Sequence, residues 1–173
     1  MGFLTTVLVP ARELFRDGAI LVNKKGERFA DETKGMAFEL AYQPQGTGYI
    51  LFDADVAQKY TQWPNFISTA PGVAFAYLRD YETNRPDLFH RAETLEDLAR
   101  ALGMDPGALQ RTVQAYNAAT DTTTGALPLA RGARPPLGRG PYTALGPARN
   151  YINYTDGGLA INAGLQVLGA DDA

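Results

Sequence analysis

The chain has 173 residues, enough for one domain, and 45% of them are hydrophobic, which excludes compositional disorder. A net charge of −3, from 16 basic and 19 acidic residues, leaves no footprint for nucleic acid and no strong pull toward a membrane. With no cysteine and one histidine, disulfides, thiolate metal sites, cysteine nucleophiles and histidine triads have little or no material, so no metal is expected. The apolar run in residues 1–10 has no basic residue ahead of it and a centre of only Val7-Leu8-Val9, too short for a signal peptide or a span. A cytoplasmic protein is the default.

Phe3 to Val9 reads as a buried strand stopped by Pro10, and Glu13 to Asp17 as a short helical or turn-like piece. Gly18-Ala-Ile-Leu-Val-Asn-Lys-Lys-Gly-Glu-Arg-Phe-Ala-Asp-Glu32 reads as a β-hairpin, with Gly26 at a positive-φ position of the loop. Thr33 opens a helix that ends before Pro44. Tyr49 to Phe52 is a strong strand, and Asp53 caps a short helix through Tyr60. From Thr61 to Pro86 periodicity fails, and only Val73 to Leu78 suggests a strand. Thr94 with Asp97 resembles a capping box; Leu95, Leu98, Ala99 and Leu102 form a stripe that Gly103 ends. Asp105-Pro106 restarts a helix with Leu109, Val113 and Tyr116 on one face. Asp121 to Gly146 is rich in Thr, Gly, Pro and Arg; with Arg131, Arg134 and Arg139 it reads as a surface loop or domain crossing, with a contact to phosphate or an anionic substrate as the alternative. Gly140-Pro-Tyr142 through Leu168 reads as strand, glycine turn and hairpin.

The string Gly18-Ala-Ile-Leu-Val-Asn23, Gly26, Arg28-Phe29 and the acidic pair Asp31-Glu32 resembles the signature hairpin of one flavoprotein family. That family holds the fumarate reductase and succinate dehydrogenase flavoproteins, L-aspartate oxidase and the 3-ketosteroid dehydrogenases. The helix pair from Thr94 to Asn117 and the motif Thr155-Asp-Gly-Gly158 resemble it too. The resemblance implies an α+β fold: a capping domain with a β-hairpin and a helix pair, plus a fragment of the flavin-domain sheet. It divides the chain into residues 1–17, the end of a first flavin-domain segment and hinge; 18–139, the capping or substrate domain; and 140–173, the start of the returning flavin-domain segment, truncated. It implies FAD as cofactor, held in the family partly by a turn matching Thr155, Gly157 and Gly158, where missing side chains allow close approach to the ring.

Two family pieces are absent. No G-x-G-x-x-G follows a strand, and the chain stops at Ala173, short of the family's Gly-Leu-Tyr-Ala-Ala-Gly-Glu-like loop. The isolated chain is therefore expected to bind FAD weakly or not at all. The catalytic arginine of the fumarate enzymes, and the tyrosine of the ketosteroid enzymes, fall at Met36, which has no proton to give. Tyr154 stands where the fumarate enzymes carry a histidine, and Glu13 and Arg16 echo their proton relay one residue out of register.

Tyr154 is then the candidate hydroxyl donor to substrate, with a core tyrosine as its alternative. Arg28 is the second candidate, with an ion pair to Asp31 or Glu32 as its alternative. Two functions follow. One is the cap of an FAD-dependent oxidoreductase transferring hydride between flavin and a carbon–carbon bond of a small or cyclic, ketosteroid-like substrate. The other is a non-catalytic truncated or split-gene module. Expected partners are a small-molecule substrate and the missing flavin-domain segments, on this chain or another, with neither nucleic acid nor membrane.

Overall fold

The computed structural model describes Thr6, residues 9–34, 37–119 and 131–149, Leu159 and residues 161–169. Among the described residues the helices are α1 (Arg12–Arg16), α2 (Ala37–Ala41), α3 (Ala54–Lys59), α4 (Leu78–Asn84), α5 (Leu95–Leu102) and α6 (Pro106–Ala118). The strands are β1 (Ile20–Asn23), β2 (Thr47–Phe52), β3 (Ser68–Ala70), β4 (Ala74–Ala76), β5 (Phe89–Ala92) and β6 (Tyr142–Arg149). Most of the strand expected over Phe3 to Val9 lies outside the described residues.

The turn after β1 forms as its chemistry dictates. Asn23 Oδ1 accepts from the amides of Lys25 at 2.9 Å and Glu27 at 3.1 Å, and Gly26 takes φ +78°. The returning half of the hairpin is not a strand, since Val22 and Arg28 share a single isolated bridge. β1 pairs instead along its length with β2, Ile20 opposite Leu51 and Asn23 opposite Gly48. Tyr49-Ile50-Leu51-Phe52 buries more apolar surface than Glu27 to Ala30 can, so the distant partner takes the ladder.

The main sheet has the order β1-β2-β6-β5 with every neighbouring pair antiparallel. Helices cover both of its faces, and all six residues of β2 are buried. Leu21, Ile50, Phe52 and Leu145 face Leu14 and Phe15 of α1, Val56 and Ala57 of α3, and Leu78 and Tyr81 of α4. Ile20, Val22, Tyr49, Leu51 and Ala144 face Leu98 and Leu102 of α5 and Leu109, Val113 and Tyr116 of α6. The protein is thus a mixed α/β fold on a small antiparallel sheet. The expected packing of the β1 segment on the helix pair forms, and a second helical layer closes the other face.

The predicted caps are in place. Asp53 accepts from Val56 N at 3.0 Å, Thr94 Oγ1 from Asp97 N at 3.1 Å, and Asp105 from Gly107 and Ala108. Gly103 ends α5 at φ +64°. Within the segment read as irregular, the strand suggested over Val73 to Leu78 forms as β4, and β3 and α4 form beside it. Only Leu78 and Tyr81 of α4 are buried, so its seven residues carry no readable stripe. Its start is fixed instead by Tyr77 N donating to Asp80 at 2.8 Å.

Candidate functional site

Arg28 sits in a buried ionic cluster. Its Nε and Nη2 donate to Glu32 at 2.9 and 2.7 Å, and Arg134 Nη1 donates to the same carboxylate at 2.8 Å. The amide of Leu21 donates to Glu32 Oε1 at 2.9 Å. The side chains of Arg28, Glu32 and Arg134 are 7%, 0% and 6% exposed. Both guanidiniums lie over the Tyr116 ring, 5.2 and 5.4 Å from its centroid, and the Tyr116 hydroxyl donates to Pro135 O at 3.0 Å. Burial pushes the Tyr116 phenol above its ordinary value, with Arg134 pulling the other way. The cluster therefore ties the β1 turn, α6 and residues 131–137 into one unit. Of the two roles open to Arg28 from sequence, the ion pair to Glu32 is formed. From sequence, Tyr116 falls on the core face of its helix and Arg134 on a surface loop or against an anion. That Arg134 is buried and that both join the Glu32 cluster is not legible there, because they are distant from Glu32 along the chain.

A second cluster surrounds α1. Glu13 and Arg16 pair at 3.6 Å on the surface. Beneath them the Tyr60 hydroxyl donates to Asp17 at 2.7 Å, and Lys59 pairs with Asp17 at 2.7 Å. Burial, then the Asp17 carboxylate, raises the Tyr60 phenol far above its ordinary value. A cavity of about 100 Å³ opens here, lined by Ala11, Glu13, Tyr60, Pro64, Asn65 and Phe66. Beside it Trp63, Phe66 and Phe75 form an aromatic trio with centroids 4.8 to 6.4 Å apart. The signal that would have found this lobe is a run without charge, Tyr60 to Leu78, in a chain that is 20% charged.

His90 lies in β5, where its Nε2 meets Gly146 O at 3.0 Å. Met36, Tyr154, Thr155, Gly157 and Gly158 all lie outside the described residues. No described helix is long and apolar enough to cross a membrane. No group of three or more His, Asp or Glu among the described residues could hold a metal ion.

The described residues do not fit the pyrophosphate of FAD. A dinucleotide site needs a glycine turn from a strand into a helix N-terminus free of negative charge. Three strand-to-helix junctions are described. Asp53 caps α3, Asp80 occupies the first turn of α4, and Glu96 and Asp97 that of α5. Each puts a carboxylate where the phosphates would lie. These three helix N-termini therefore offer the pyrophosphate no seat.

The family model described as an FAD binding domain matches residues 5–173. A urocanate reductase of Eggerthella lenta is 30% identical over 90% of this chain and 24% of its own length. An NADH:fumarate oxidoreductase of Klebsiella pneumoniae is 29% identical over 89% of this chain and 15% of its own length. Among solved structures, a flavocytochrome c3 fumarate reductase in its open conformation is 27% identical with a TM-score of 0.63, covering 95% of this chain and 27% of that one. The solution structure of a fumarate reductase flavoprotein subunit from Lactobacillus plantarum, 19% identical with a TM-score of 0.53, shares the fold over 89% of this chain and 98% of that one. The chain thus spans a quarter or less of the curated relatives named here. It belongs to the FAD-binding family of flavoprotein oxidoreductases.

Proposed function

We propose that the chain is the substrate-capping region of an FAD-dependent oxidoreductase acting on a carbon–carbon bond. The observation that carries this reading is the family match across residues 5–173 in a fold whose described junctions offer FAD no phosphate seat. A cap excludes water and orients substrate, while other segments hold the cofactor. The matched oxidoreductases are named for urocanate and fumarate, compounds with a double bond conjugated to a carboxylate. With Met36 where the fumarate enzymes carry an arginine and Tyr154 where they carry a histidine, we assign this site a less charged substrate, a small or cyclic ketone. Met36 also replaces the tyrosine of the ketosteroid enzymes. 4-Androstene-3,17-dione, the ligand of a 24% identical ketosteroid dehydrogenase structure with the same fold, is a convenient probe of that class.

In the completed site, Tyr154 donates its hydroxyl to the substrate and the backbone at Thr155, Gly157 and Gly158 lies against the flavin. Arg28 serves as a positioning residue through Glu32. Residues 18–139 form the cap and residues 140–173 start the returning flavin-domain segment, whose β6 is hydrogen-bonded between β2 and β5.

The test has two parts. Purified chain mixed with FAD and passed through gel filtration should retain no stoichiometric flavin; retention would overturn the cap-only role. Sequencing the DNA on both sides of the reading frame should reveal a strand followed by G-x-G-x-x-G, in frame or in a neighbouring gene. Its absence from both would favour the stand-alone module.

A further inference from the structure

The family resemblance puts Pro10 to Asp17 in a hinge, yet the structure leaves these residues nothing to turn on. Pro10 forms an antiparallel bridge with Ser68, and the Ala11 amide donates to Ile67 O at 2.8 Å. α1 has five residues, well short of the roughly 12 that an isolated helix needs to persist in water. It exists because it is docked. Leu14 is 0% and Phe15 2% exposed, both in the core cluster that holds Ile50, Phe52 and Leu145 of the sheet.

The far end of α1 is fastened as well. Asp17 accepts from the Tyr60 hydroxyl at 2.7 Å and pairs with the Lys59 ammonium at 2.7 Å. Tyr60 is itself fully buried, and its carbonyl accepts from Leu78 N at 2.9 Å, so this one residue joins α1 to the end of α3 and the start of α4. Gly18, the residue of this stretch best able to swivel, is closed in by the segment that follows α6. A Cβ there would stand 3.2 Å from Pro135 Cγ and 3.3 Å from Pro135 O. A hinge needs positions free to absorb changes in φ and ψ, and both ends of α1 are held.

We infer that Pro10 to Asp17 form a clasp belonging to the rigid body of the cap, with Asp17 and Tyr60 as its closing contact. Any movement of the cap against the flavin-binding segments then carries α1, and with it the Glu13–Arg16 pair, as one piece with β2 and β6. This rests on the cap reading and extends the rigid body from residue 18 back to residue 10.

Amide hydrogen exchange on the 173-residue chain, read residue by residue by NMR and without flavin, tests this. The amides of Ala11, Leu14 and Ala19 are hydrogen-bonded within α1 or across to Ile67. They should exchange within about tenfold of the slowest β2 amides, the mark of a single opening unit. Asp17→Ala removes both closing contacts and leaves the core untouched. It should speed the α1 and β2 amides by the same factor, about fivefold or more, because a loss at α1 is then felt by the whole unit. Three results would overturn the inference: α1 amides exchanging more than about tenfold faster than those of β2, an Asp17→Ala effect confined to α1, or no effect in either set. FAD retention is read separately, so a failure here leaves the cap reading intact, and a flavin-retaining chain with a fastened α1 would do the reverse.

Discussion

Glu32 and Arg134 are separated by 102 positions, yet their side chains meet at 2.8 Å in a nearly water-free pocket. Arg28 claims the same carboxylate from four residues away. Coulombic attraction at such depth mainly offsets desolvation, so the pair contributes little beyond an apolar substitute. Removing the shared anion is another matter, because two guanidiniums would then lie buried without it. Glu32→Ala should lower stability by about 3–5 kcal/mol, read as a shift in urea midpoint. Arg134→Met, which leaves Glu32 its bonds from Arg28 and Leu21, should cost less. Equal losses in both variants would contradict a carboxylate shared by two cations.

The helix pair offers a packing test. Leu98 is fully buried and Val113 nearly so, both against the sheet face that carries Ile20 and Leu51. Leu98→Ala should cost about 2–5 kcal/mol, and Val113→Ala somewhat less for the smaller cavity. Arg100→Ala is the control. Its ion pairs with Glu96 and Asp97 are exposed, so thermal melting should scarcely move.

Two neighbours on β6 should respond in opposite directions. The Thr143 hydroxyl is buried without a hydrogen bond among the described residues. Thr143→Val keeps the shape and removes the unmet polar group, so it should raise stability by about 1 kcal/mol. At Gly146 a Cβ would stand 2.6 Å from Tyr49 Cδ1 and 2.9 Å from Gly48 O. Gly146→Ala should therefore cost about 1–3 kcal/mol, since a backbone oxygen cannot swing aside. Calorimetry on the two variants checks both signs.

Alkaline pH should unfold the protein from a defined threshold. Burial raises the phenols of Tyr60, Tyr81 and Tyr116 above their ordinary value of 10.0. Unfolded tyrosines lose their protons from about pH 10, while the folded ones hold theirs. The folded state then binds more protons than the unfolded, so stability is full below pH 10 and falls as pH rises beyond it. Denaturant midpoints should be lower at about pH 11 than at about pH 8. Phenolate absorbance from these three residues should appear together with unfolding rather than before it.

What the sequence revealed was local. The capping contacts of Asp53, Thr94, Asp105 and Gly103 reach groups two to four residues away, and each cap was legible. The Arg28–Glu32 pair was legible for the same reason. What stayed hidden depended on distance. β2 displaced the expected return strand of the hairpin, Arg134 and Tyr116 completed the ionic cluster from afar, and β5 was recruited as an edge by β6. Apart from β4, the lobe from Tyr60 to Leu78 hid because an uncharged, aromatic, glycine- and proline-broken stretch has neither period 2 nor period 3.6. Of the expected site, Arg28 can be placed, whereas Tyr154 and the Thr155 to Gly158 turn fall outside the described residues.

The order β1-β2-β6-β5 has a consequence for biosynthesis. β6 is the last of these strands to leave the ribosome, yet it lies between two that emerge earlier. Until Tyr142 to Arg149 have been made, β2 presents a bare row of amides and carbonyls on one side, and β5 has no partner. The nascent chain can prepare its helices and the β1–β2 ladder, but the sheet closes only when a late segment inserts between them. Such non-local closure is slow compared with helix formation and leaves an open edge in the interval. A ribosome pausing before residue 142 would hold this protein in its most aggregation-prone form.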